Sequence, residues 1–361
     1  MAVDRRRGMS VQRVLELSAE QSDSRMLRAA VIAAIGVRVR FGNYAWLLTD
    51  PRTAVGSDPL ADVPSLRELP ALIRSKYLTE INRWTELSRS GQSVQTLVKG
   101  TRGGLSRSRQ WREVQSAHSV GDVASLVFAD RFGCWAFLDL WRDASDGPFG
   151  DDETEFLSLL VPGITAALRV RQARTFSAPT LPQRHQLGPV VLVLDDELTV
   201  GGQTAATQDW LRALIPAESG RPAIPASVYN VAAQLLANEQ GVDANDPASR
   251  VHLADGFWVT LRAARLGSGD GPAASPIAVT LEETSPGDRL DLFSRAFALT
   301  VRESEVMSAL ATGEDTRELA RRLFLSESTV QDHLKAIFAK TGARSRGALV
   351  SRALGTRPDS G

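Results

Sequence analysis

The sequence predicts an α+β chain of several domains, the last of which is an all-α unit of four helices. The 361 residues are enough for two or three domains. Short apolar segments separated by turn residues predict antiparallel strands, as at 123–128 and 134–141. At 299–355 the apolar residues instead recur at helical spacing, which predicts a separate helical domain.

An N-terminal tail at 1–22 precedes the first α/β domain, which we place at 23–176. No sustained apolar run follows the basic start of the chain, so we expect neither a signal peptide nor a membrane span. The expected elements of the domain are a helix at 24–35, strands at 44–49 and 53–56, helices at 66–77 and 78–90, strands at 123–128 and 134–141, and a long helix at 153–174. Pro162-Gly163 predicts that the long helix is kinked or split in two.

The end of this domain has a characteristic order of elements. A strand pair is followed by Pro148, Phe149 and Asp152, and then by the long amphipathic helix. This order resembles the end of a GAF domain, and the resemblance implies a sheet flanked by helices, with a small-molecule cavity on one face. Five tryptophans of the domain either line a pocket for a planar ligand or belong to an ordinary core: Trp46, Trp84, Trp111, Trp135 and Trp141.

A linker rich in proline and polar residues at 177–188 leads to a second α/β domain, placed at 189–285. Its expected elements are strands at 190–194 and 198–201, helices at 204–214 and 227–238, a hairpin at 250–262 around Asp255-Gly256, and a strand at 276–283. Two strands, then helices, then three strands is an order that resembles a PAS domain. The resemblance implies a module for small-molecule sensing or for dimerisation.

A phosphorylated receiver domain is the rival interpretation of this second segment. The pair Asp195-Asp196 after an apolar strand imitates the acidic pair of a response regulator. That fold also needs a lysine late in the domain, yet the sequence has no lysine between Lys99 and Lys335. The predicted hairpin also contradicts the parallel sheet of a receiver, so we favour the sensor-like module.

The C-terminal domain, 299–355, follows a connecting helix at 286–298. Thr300 and Glu303 have the spacing of a capping box, and Gly313 is suited to end the helix that they begin. A second helix is expected from Thr316 to Phe324. A third begins after Ser326 and ends at Thr341-Gly342, and a fourth is expected at 345–354.

The third of these helices has two distinct faces. An apolar stripe is expected to face the core: Val330, Leu334, Ile337 and Phe338. Ser328, Gln331, Asp332 and Lys335 then lie on the opposite face. In a helix-turn-helix the second motif helix enters the major groove, where Gln pairs with adenine and Asp accepts from cytosine. Thr329, His333, Lys335 and Lys340 suit phosphate contacts. Asp332 has a second interpretation, as a solvated or intrahelical charge.

The spacing of this domain resembles the LuxR-type helix-turn-helix. The resemblance is carried by Leu299-Thr300-x-Arg302-Glu303-x-Glu305-Val306, by Glu318-Leu319-Ala320, and by Leu325-Ser326-x-Ser328-Thr329-Val330-x-x-His333-Leu334-x-x-Ile337-Phe338-x-Lys340-Thr341-Gly342. It implies a four-helix DNA-binding domain that docks as a dimer on palindromic sites, usually paired through the fourth helix. Many members have a basic residue after the Thr-Val pair. Gln331 and Asp332 stand there instead, so the base preference of other members does not transfer.

Charge and residue usage narrow the function classes. The net charge is zero, and from Thr300 to Gly361 there are ten Lys/Arg against eight Asp/Glu. This mild positive excess predicts modest affinity per protomer for DNA phosphates, and hence reliance on dimerisation. Cys134 is the only cysteine, and no two of the four histidines have the spacing of metal ligands, so we expect no metal site and no disulfide.

These observations predict a cytoplasmic, homodimeric transcription regulator that binds double-stranded DNA and has no catalytic residues. No cofactor is identified, and a small-molecule effector and contact with RNA polymerase are open expectations for such a protein. The alternative is an interaction protein whose helix-turn-helix serves for dimerisation without sequence-specific DNA binding.

Overall fold

The computed structural model describes residues 2–21, 23–176, 190–207, 224–253, 257–267 and 275–356. These residues form two compact units. Unit 1 contains the described parts of 2–168, 190–251 and 260–282. Unit 2 contains 169–176, the described parts of 252–259, and 283–356. The predicted linker at 177–188 lies outside the described residues.

Unit 1 begins with helices α1 (Ala2–Glu20) and α2 (Ser24–Gly36), so the segment predicted as a tail is helical. The first sheet and its helices follow, in the order β1 (Asn43–Thr49), β2 (Gly56–Asp62), α3 (Leu69–Tyr77), α4 (Trp84–Ser90), β3 (Val94–Thr96), α5 (Leu97–Thr101), α6 (Arg109–Glu113), β4 (Val120–Asp130) and β5 (Gly133–Asp143). The second strand lies later than predicted, at Gly56–Asp62 rather than 53–56. The reason is that Asp50 holds residues 51–55 in a turn, where its side chain accepts hydrogen bonds from Arg52 N and Thr53 N.

Helix α7 (Asp151–Arg174) is one continuous helix, and the predicted division at Pro162-Gly163 is absent. Proline removes only one backbone donor, and Pro162 lies on the exposed side of the helix, where water can satisfy the carbonyl that loses its partner. Gly163 is required for a different reason. A Cβ at this position would lie 2.3 Å from Leu15 Cδ2, so the glycine lets α1 pack closely on α7.

The described elements continue with β6 (Val190–Leu194), β7 (Val200–Gln203), α8 (Ala226–Glu239), β8 (Ala248–His252), β9 (Trp258–Arg265) and β10 (Ile277–Glu283). Of the helix predicted at 204–214, residues 204–206 are not helical and Thr207 is helical, while 208–214 lie outside the described residues, as does the Asp255-Gly256 turn of the hairpin. The two five-stranded sheets have orders β2-β1-β5-β4-β3 and β7-β6-β10-β9-β8. When the strands of each sheet are numbered from one to five in chain order, both sheets have the order 2-1-5-4-3.

The two sheets of unit 1 are joined by buried polar contacts as well as by apolar packing. Arg83 Nη2 lies 2.7 Å from Asp243 Oδ2, and Arg250 Nε lies 2.7 Å from Asp50 Oδ2. All four side chains are buried, and α8 packs against both β2 and α3. Most of both predicted α/β segments therefore lies in one compact unit, and only 169–176, the described parts of 252–259, and 283–285 belong to unit 2.

Candidate nucleic-acid interface

Unit 2 contains α9 (Pro286–Ala296) and the four helices α10 (Val301–Ala311), α11 (Thr316–Leu323), α12 (Glu327–Thr341) and α13 (Arg346–Leu354). The predicted capping box is present at the start of α10. Glu303 N donates to Thr300 Oγ1 at 3.2 Å, and Thr300 N donates to Glu303 Oε2 at 2.6 Å. These reciprocal bonds satisfy two backbone donors that the first turn would otherwise leave unpaired.

Lys340 connects the end of α12 to the start of α10. Its Nζ lies 2.5 Å from Glu303 Oε2 and 3.1 Å from Ala298 O. Burial of Glu303 disfavours its charged form, but the Lys340 ammonium and the Thr300 hydrogen bonds outweigh this effect and lower the pKa of the carboxyl. The structure thus gives Lys340 an intramolecular partner. Its predicted contact with DNA phosphate stays a prediction, and it would compete with this ion pair.

Helix α11 begins with a second capping box, which the sequence analysis missed. Asp315 Oδ1 accepts from Glu318 N at 2.8 Å, and Glu318 Oε2 accepts from Asp315 N at 2.9 Å. The spacing Asp315-x-x-Glu318 was a signal that could have found it.

Helix α11 ends one residue before the predicted Phe324, because Phe324 adopts the left-handed conformation with φ 54°. The side chain of Phe324 is 95% exposed rather than packed in the core.

Ser326 caps α12, as the sequence predicts, because its Oγ accepts from Thr329 N at 3.1 Å. The inward stripe of the helix is largely confirmed. Val330 and Ile337 are 0% exposed and Leu334 is 2% exposed, whereas Phe338 is only half-buried. These buried residues fix the rotation of α12 on the domain and so decide which side chains remain outside.

The outward face of α12 carries the residues expected to contact bases. Ser328, Gln331, Asp332 and Lys335 are all exposed. Lys335 Nζ lies 3.1 Å from Asp332 Oδ1, and both side chains are about three-quarters exposed, at 76% and 74%. Gln331 Nε2 lies 3.4 Å from Thr316 Oγ1 at the start of α11. An exposed ion pair one turn apart is weak, so Asp332 and Lys335 can separate to meet a ligand.

Thr329 and His333 lie on the flanks of this face and are half-buried. Thr329 Oγ1 lies 2.8 Å from Ser326 Oγ, so this hydroxyl supports the helix cap. Exposed arginines that the sequence analysis did not single out are Arg317, Arg321, Arg322 and Arg344. Of these, Arg322 forms an ion pair with Glu314.

An aromatic cluster within unit 2 is centred on Phe176, two residues after the end of α7. Phe176 is fully buried, stacks on Trp258 with ring centroids 5.4 Å apart, and meets Phe293 edge to face at the same distance. Arg352 of α13 donates from Nε to Phe176 O at 3.4 Å. Arg289 of α9 donates to Arg352 O at 3.2 Å, and burial lowers the pKa of Arg289 to about 10. The fourth helix is therefore held against α9.

The contacts of the five tryptophans in unit 1 bear on the two interpretations left open by the sequence, pocket lining and ordinary core. Trp46 stacks on Phe128 and Trp84 on Phe137, with centroids 5.2 and 4.4 Å apart. Trp135 and Trp141 are also buried, and Trp111 Nε1 donates to Val120 O at 2.8 Å. These contacts favour the interpretation as ordinary core.

The parts of the chain that the structure describes also bear on membrane insertion and metal binding. No helix there is long and apolar enough to cross a membrane. No three His, Cys, Asp or Glu side chains in those parts are grouped as a metal ion would require.

Comparison with known proteins identifies the C-terminal domain. Residues 298–353 match the family model described as "Bacterial regulatory proteins, luxR family". The chain is 42% identical over 62 residues to the probable HTH-type transcriptional regulator GfsR of Streptomyces halstedii, which is 17% of this chain and 26% of that protein. It is 44% identical over 53 residues to the CsgBAC operon transcriptional regulatory protein of Escherichia coli, 15% of this chain and 24% of that protein. The match thus spans about a quarter of the length of each of these two relatives.

Two solved structures align with larger parts of the chain at low similarity. The VqsR LBD domain of Pseudomonas aeruginosa shares 16% identity over 45% of this chain and 94% of that one, with a TM-score of 0.31. VqmA of Vibrio cholerae, solved with ligand and DNA, shares 20% identity over 48% of this chain and 87% of that one, with a TM-score of 0.22. TM-scores this low establish neither a common fold nor a common function. The family match does show that the C-terminal helices are a LuxR-family helix-turn-helix DNA-binding domain.

Proposed function

We propose that this chain is a bacterial transcription regulator that binds double-stranded DNA as a homodimer and reads bases with α12. The observation that carries the proposal is the outward face of α12 within a LuxR-family domain. Ser328, Gln331, Asp332 and Lys335 are exposed there, while the opposite stripe is buried. Polar side chains on the first half of this helix are the ones that reach base edges in a helix-turn-helix.

The charge of the domain supports a requirement for two copies. Between Thr300 and Gly361 the positive excess is only two charges. Four of the exposed lysines and arginines that the structure describes here also have carboxylate partners in the protein: Arg302 with Glu305, Arg322 with Glu314, Lys335 with Asp332, and Lys340 with Glu303. Because phosphate contacts supply most non-specific affinity, a single domain should bind weakly. A dimer doubles these contacts and reads two half-sites at once.

The N-terminal part is proposed as a sensor built from a GAF-like segment at 23–176 and a PAS-like segment at 189–285. The strand order 2-1-5-4-3 in both sheets supports two modules of related architecture. A small-molecule effector would act by favouring one arrangement of the dimer over another. We also propose that the protein is cytoplasmic, that it contacts RNA polymerase and that it has no catalytic activity.

Selection of duplexes from a random pool tests the proposal. The full chain is expected to enrich an inverted repeat, because two copies related by a twofold axis read the same half-site in opposite directions. The matched control is the triple variant Gln331→Ala, Asp332→Ala, Lys335→Ala, whose exposed changes leave the core of the domain intact and which should enrich nothing. If a folded, dimeric wild-type chain enriched no motif, the alternative of a dimerisation module without specific DNA binding would be favoured instead.

A further inference from the structure

Three helices of the DNA-binding domain meet at the hydroxyl of Thr316, next to the outward face of α12. Thr316 is the first residue of α11, and its Oγ1 accepts from Nη2 of Arg346, the first residue of α13, at 2.5 Å. The same oxygen accepts from Gln331 Nε2 of α12 at 3.4 Å. Gln331 is exposed, whereas Thr316 and Arg346 are half-buried. The side chain proposed to read a base therefore has a polar neighbour that belongs to two other helices.

The start of α11 holds the Thr316 hydroxyl in a defined place. Asp315 and Glu318 form the capping box of this helix, so the backbone at Thr316 is fixed by two hydrogen bonds. Because the box already satisfies the helix start, the threonine hydroxyl is not needed as a cap. A β-branched side chain is also stiff at χ1, which restricts the directions that its hydroxyl can take. Thr316 is thus a firm anchor for a flexible neighbour.

Arg346 has a different kind of partner from other cations of the domain. Arg322, Lys335 and Lys340 each form an ion pair with a carboxylate. Among the residues that the structure describes, the hydrogen-bond partner of Arg346 is the neutral hydroxyl of Thr316. A guanidinium can only donate, so this contact commits one of the two acceptor positions of the hydroxyl oxygen. Arg346 therefore restricts the rotation of the hydroxyl that Gln331 meets.

The amide of Gln331 has enough hydrogen-bonding groups to contact Thr316 and a base at the same time. It carries two N–H donors on Nε2 and one acceptor oxygen. Bidentate pairing with adenine uses the oxygen and one N–H. The second N–H is left over, and Thr316 Oγ1 lies within reach of Nε2 to accept it. Contact with Thr316 thus leaves both groups that adenine requires available.

We propose that Thr316 and Arg346 are positioning residues that orient the Gln331 amide for bidentate pairing with adenine. The inference rests on the proposed function and adds to it one base and two residues that set its recognition. A long, exposed glutamine loses rotamer freedom when it pairs with a base, and this loss opposes binding. A hydroxyl held by α11 and by Arg346 limits that freedom before the duplex arrives. At 3.4 Å the bond to Gln331 is weak, so its effect is to orient the side chain rather than to stabilise the domain.

Competition binding of the full chain to duplexes altered at single base pairs tests Thr316. The motif that the wild type enriches supplies the parent duplex, and Gln331→Ala identifies the base pair that Gln331 reads, which we expect to be A·T. Thr316→Val keeps the shape of the side chain and removes its hydroxyl. The preference for adenine should then fall about two- to tenfold, the cost of ordering one long side chain on binding. Thr316→Ser, which keeps a hydroxyl, is the matched control and should retain most of the preference.

Arg346→Met tests the second residue, with Arg344→Met as the control. Arg344 is exposed two positions earlier, and its replacement removes the same charge. Arg346→Met should lower the preference for adenine at the base pair read by Gln331, and Arg344→Met should leave that preference unchanged. The dependence of log K on log salt distinguishes positioning from a phosphate contact. A slope reduced by about one in Arg346→Met would show that Arg346 contacts the DNA backbone, and would overturn its assignment to Thr316.

A double-mutant cycle separates positioning from a merely structural role. In the Gln331→Ala background neither Thr316→Val nor Arg346→Met should change base preference further, because the side chain through which they act is gone. A purely structural role would instead lower the melting temperature and weaken binding to all duplexes equally, with base preference intact, and this result would overturn the inference.

The remaining outcomes distinguish this inference from the proposed function. A base other than adenine at the position read by Gln331, or an unchanged preference in Thr316→Val, would refute the inference, while the enriched motif would leave the proposed function standing. A folded wild-type chain that enriched no motif would overturn the proposed function and this inference with it.

Discussion

Gln331 and Asp332 occupy the positions where base discrimination should arise. Both are exposed on the first half of α12, and neither is held by a strong intramolecular bond. We predict that Gln331→Ala or Asp332→Asn lowers discrimination between the preferred and the substituted base by about 1–3 kcal/mol at one position of each half-site. Competition binding with duplexes altered at single positions measures this. A uniform loss across all duplexes would mean that the residue positions the helix and reads no base.

Lys335 should contribute in a different way, through phosphate. We predict that Lys335→Ala weakens binding to all duplexes alike and reduces the slope of log K against log salt by about one per contact. The matched control is Asp332→Asn, which removes the partner of Lys335 and should leave that slope unchanged or steeper. An unchanged salt slope in Lys335→Ala would show that this side chain does not reach the DNA backbone.

Glu303 links the stability of the DNA-binding domain to pH. Its pKa in the folded protein is lowered because hydrogen bonds from Lys340 and Thr300 outweigh the effect of burial. A carboxyl with a lowered pKa stabilises the fold above its unfolded pKa of about 4.3, and this contribution is lost as pH falls through the folded pKa. We predict that Glu303→Gln destabilises the domain by about 1–3 kcal/mol at neutral pH and by less below about pH 4.

Thermal unfolding of the wild type and Glu303→Gln across this pH range measures the effect. Glu305→Gln is the matched control, because Glu305 forms only an exposed ion pair with Arg302 and should cost about 0–1 kcal/mol. If Glu303→Gln lowered the free energy of unfolding by the same amount at every pH, the ion pair with Lys340 would not be the cause of the pH dependence.

The turn between α11 and α12 stores backbone strain. Phe324 has φ 54°, a conformation that costs a residue with a Cβ about 1–2 kcal/mol, and its 95% exposed ring recovers little through packing. We predict that Phe324→Asn, which tolerates this conformation, raises the melting temperature. Val301→Asn, at an exposed residue in the first turn of α10, is the control and should not raise it. A lower melting temperature in Phe324→Asn would reveal packing by the ring.

At the scale of elements, the C-terminal domain was the most predictable part of the chain. Its helices depend on local signals, namely the capping box at Thr300, the cap at Ser326 and the apolar stripe of α12, and all three are present. Helix α11 was predicted one residue too long, because periodicity alone cannot reveal that Phe324 turns left-handed. The same limit applied to β2, whose start depends on the turn held by Asp50 rather than on an apolar pattern.

Contacts distant in sequence were not predictable in the same way. The ion pair between Arg83 and Asp243 joins residues 160 positions apart, and no periodic pattern marks either of them. The partner of Lys340 was missed for the same reason, so its side chain was assigned to DNA alone.

At the scale of the whole molecule, the two sheets of unit 1 should unfold together. Arg83 and Asp243 are buried, Thr85 Oγ1 and Arg89 also bond Asp243, and the pKa of Asp243 is lowered to about 2 because the Arg83 charge and hydrogen bonds outweigh burial. Removing one partner of such a pair leaves a buried charge without its counterpart. We therefore predict that Arg83→Met destabilises unit 1 by about 3–5 kcal/mol.

Whether the two sheets of unit 1 unfold together can be tested separately from how stable unit 1 is. Five of the seven tryptophans lie in 23–176, so intrinsic fluorescence reports mainly on the first sheet and its helices, while far-ultraviolet circular dichroism reports on the whole chain. In the wild type both signals should change at the same urea concentration for unit 1, because the buried ion pairs to Asp243 and Asp50 hold the two sheets in one cooperative unit. In the double variant Arg83→Met, Arg250→Met, the fluorescence transition should occur at a different urea concentration from the circular-dichroism transition. Arg13→Met, at an exposed residue of α1, is the control and should keep the wild-type profile. Coincident transitions in the double variant would mean that apolar packing of α8 against α3 and β2 is sufficient to couple the sheets.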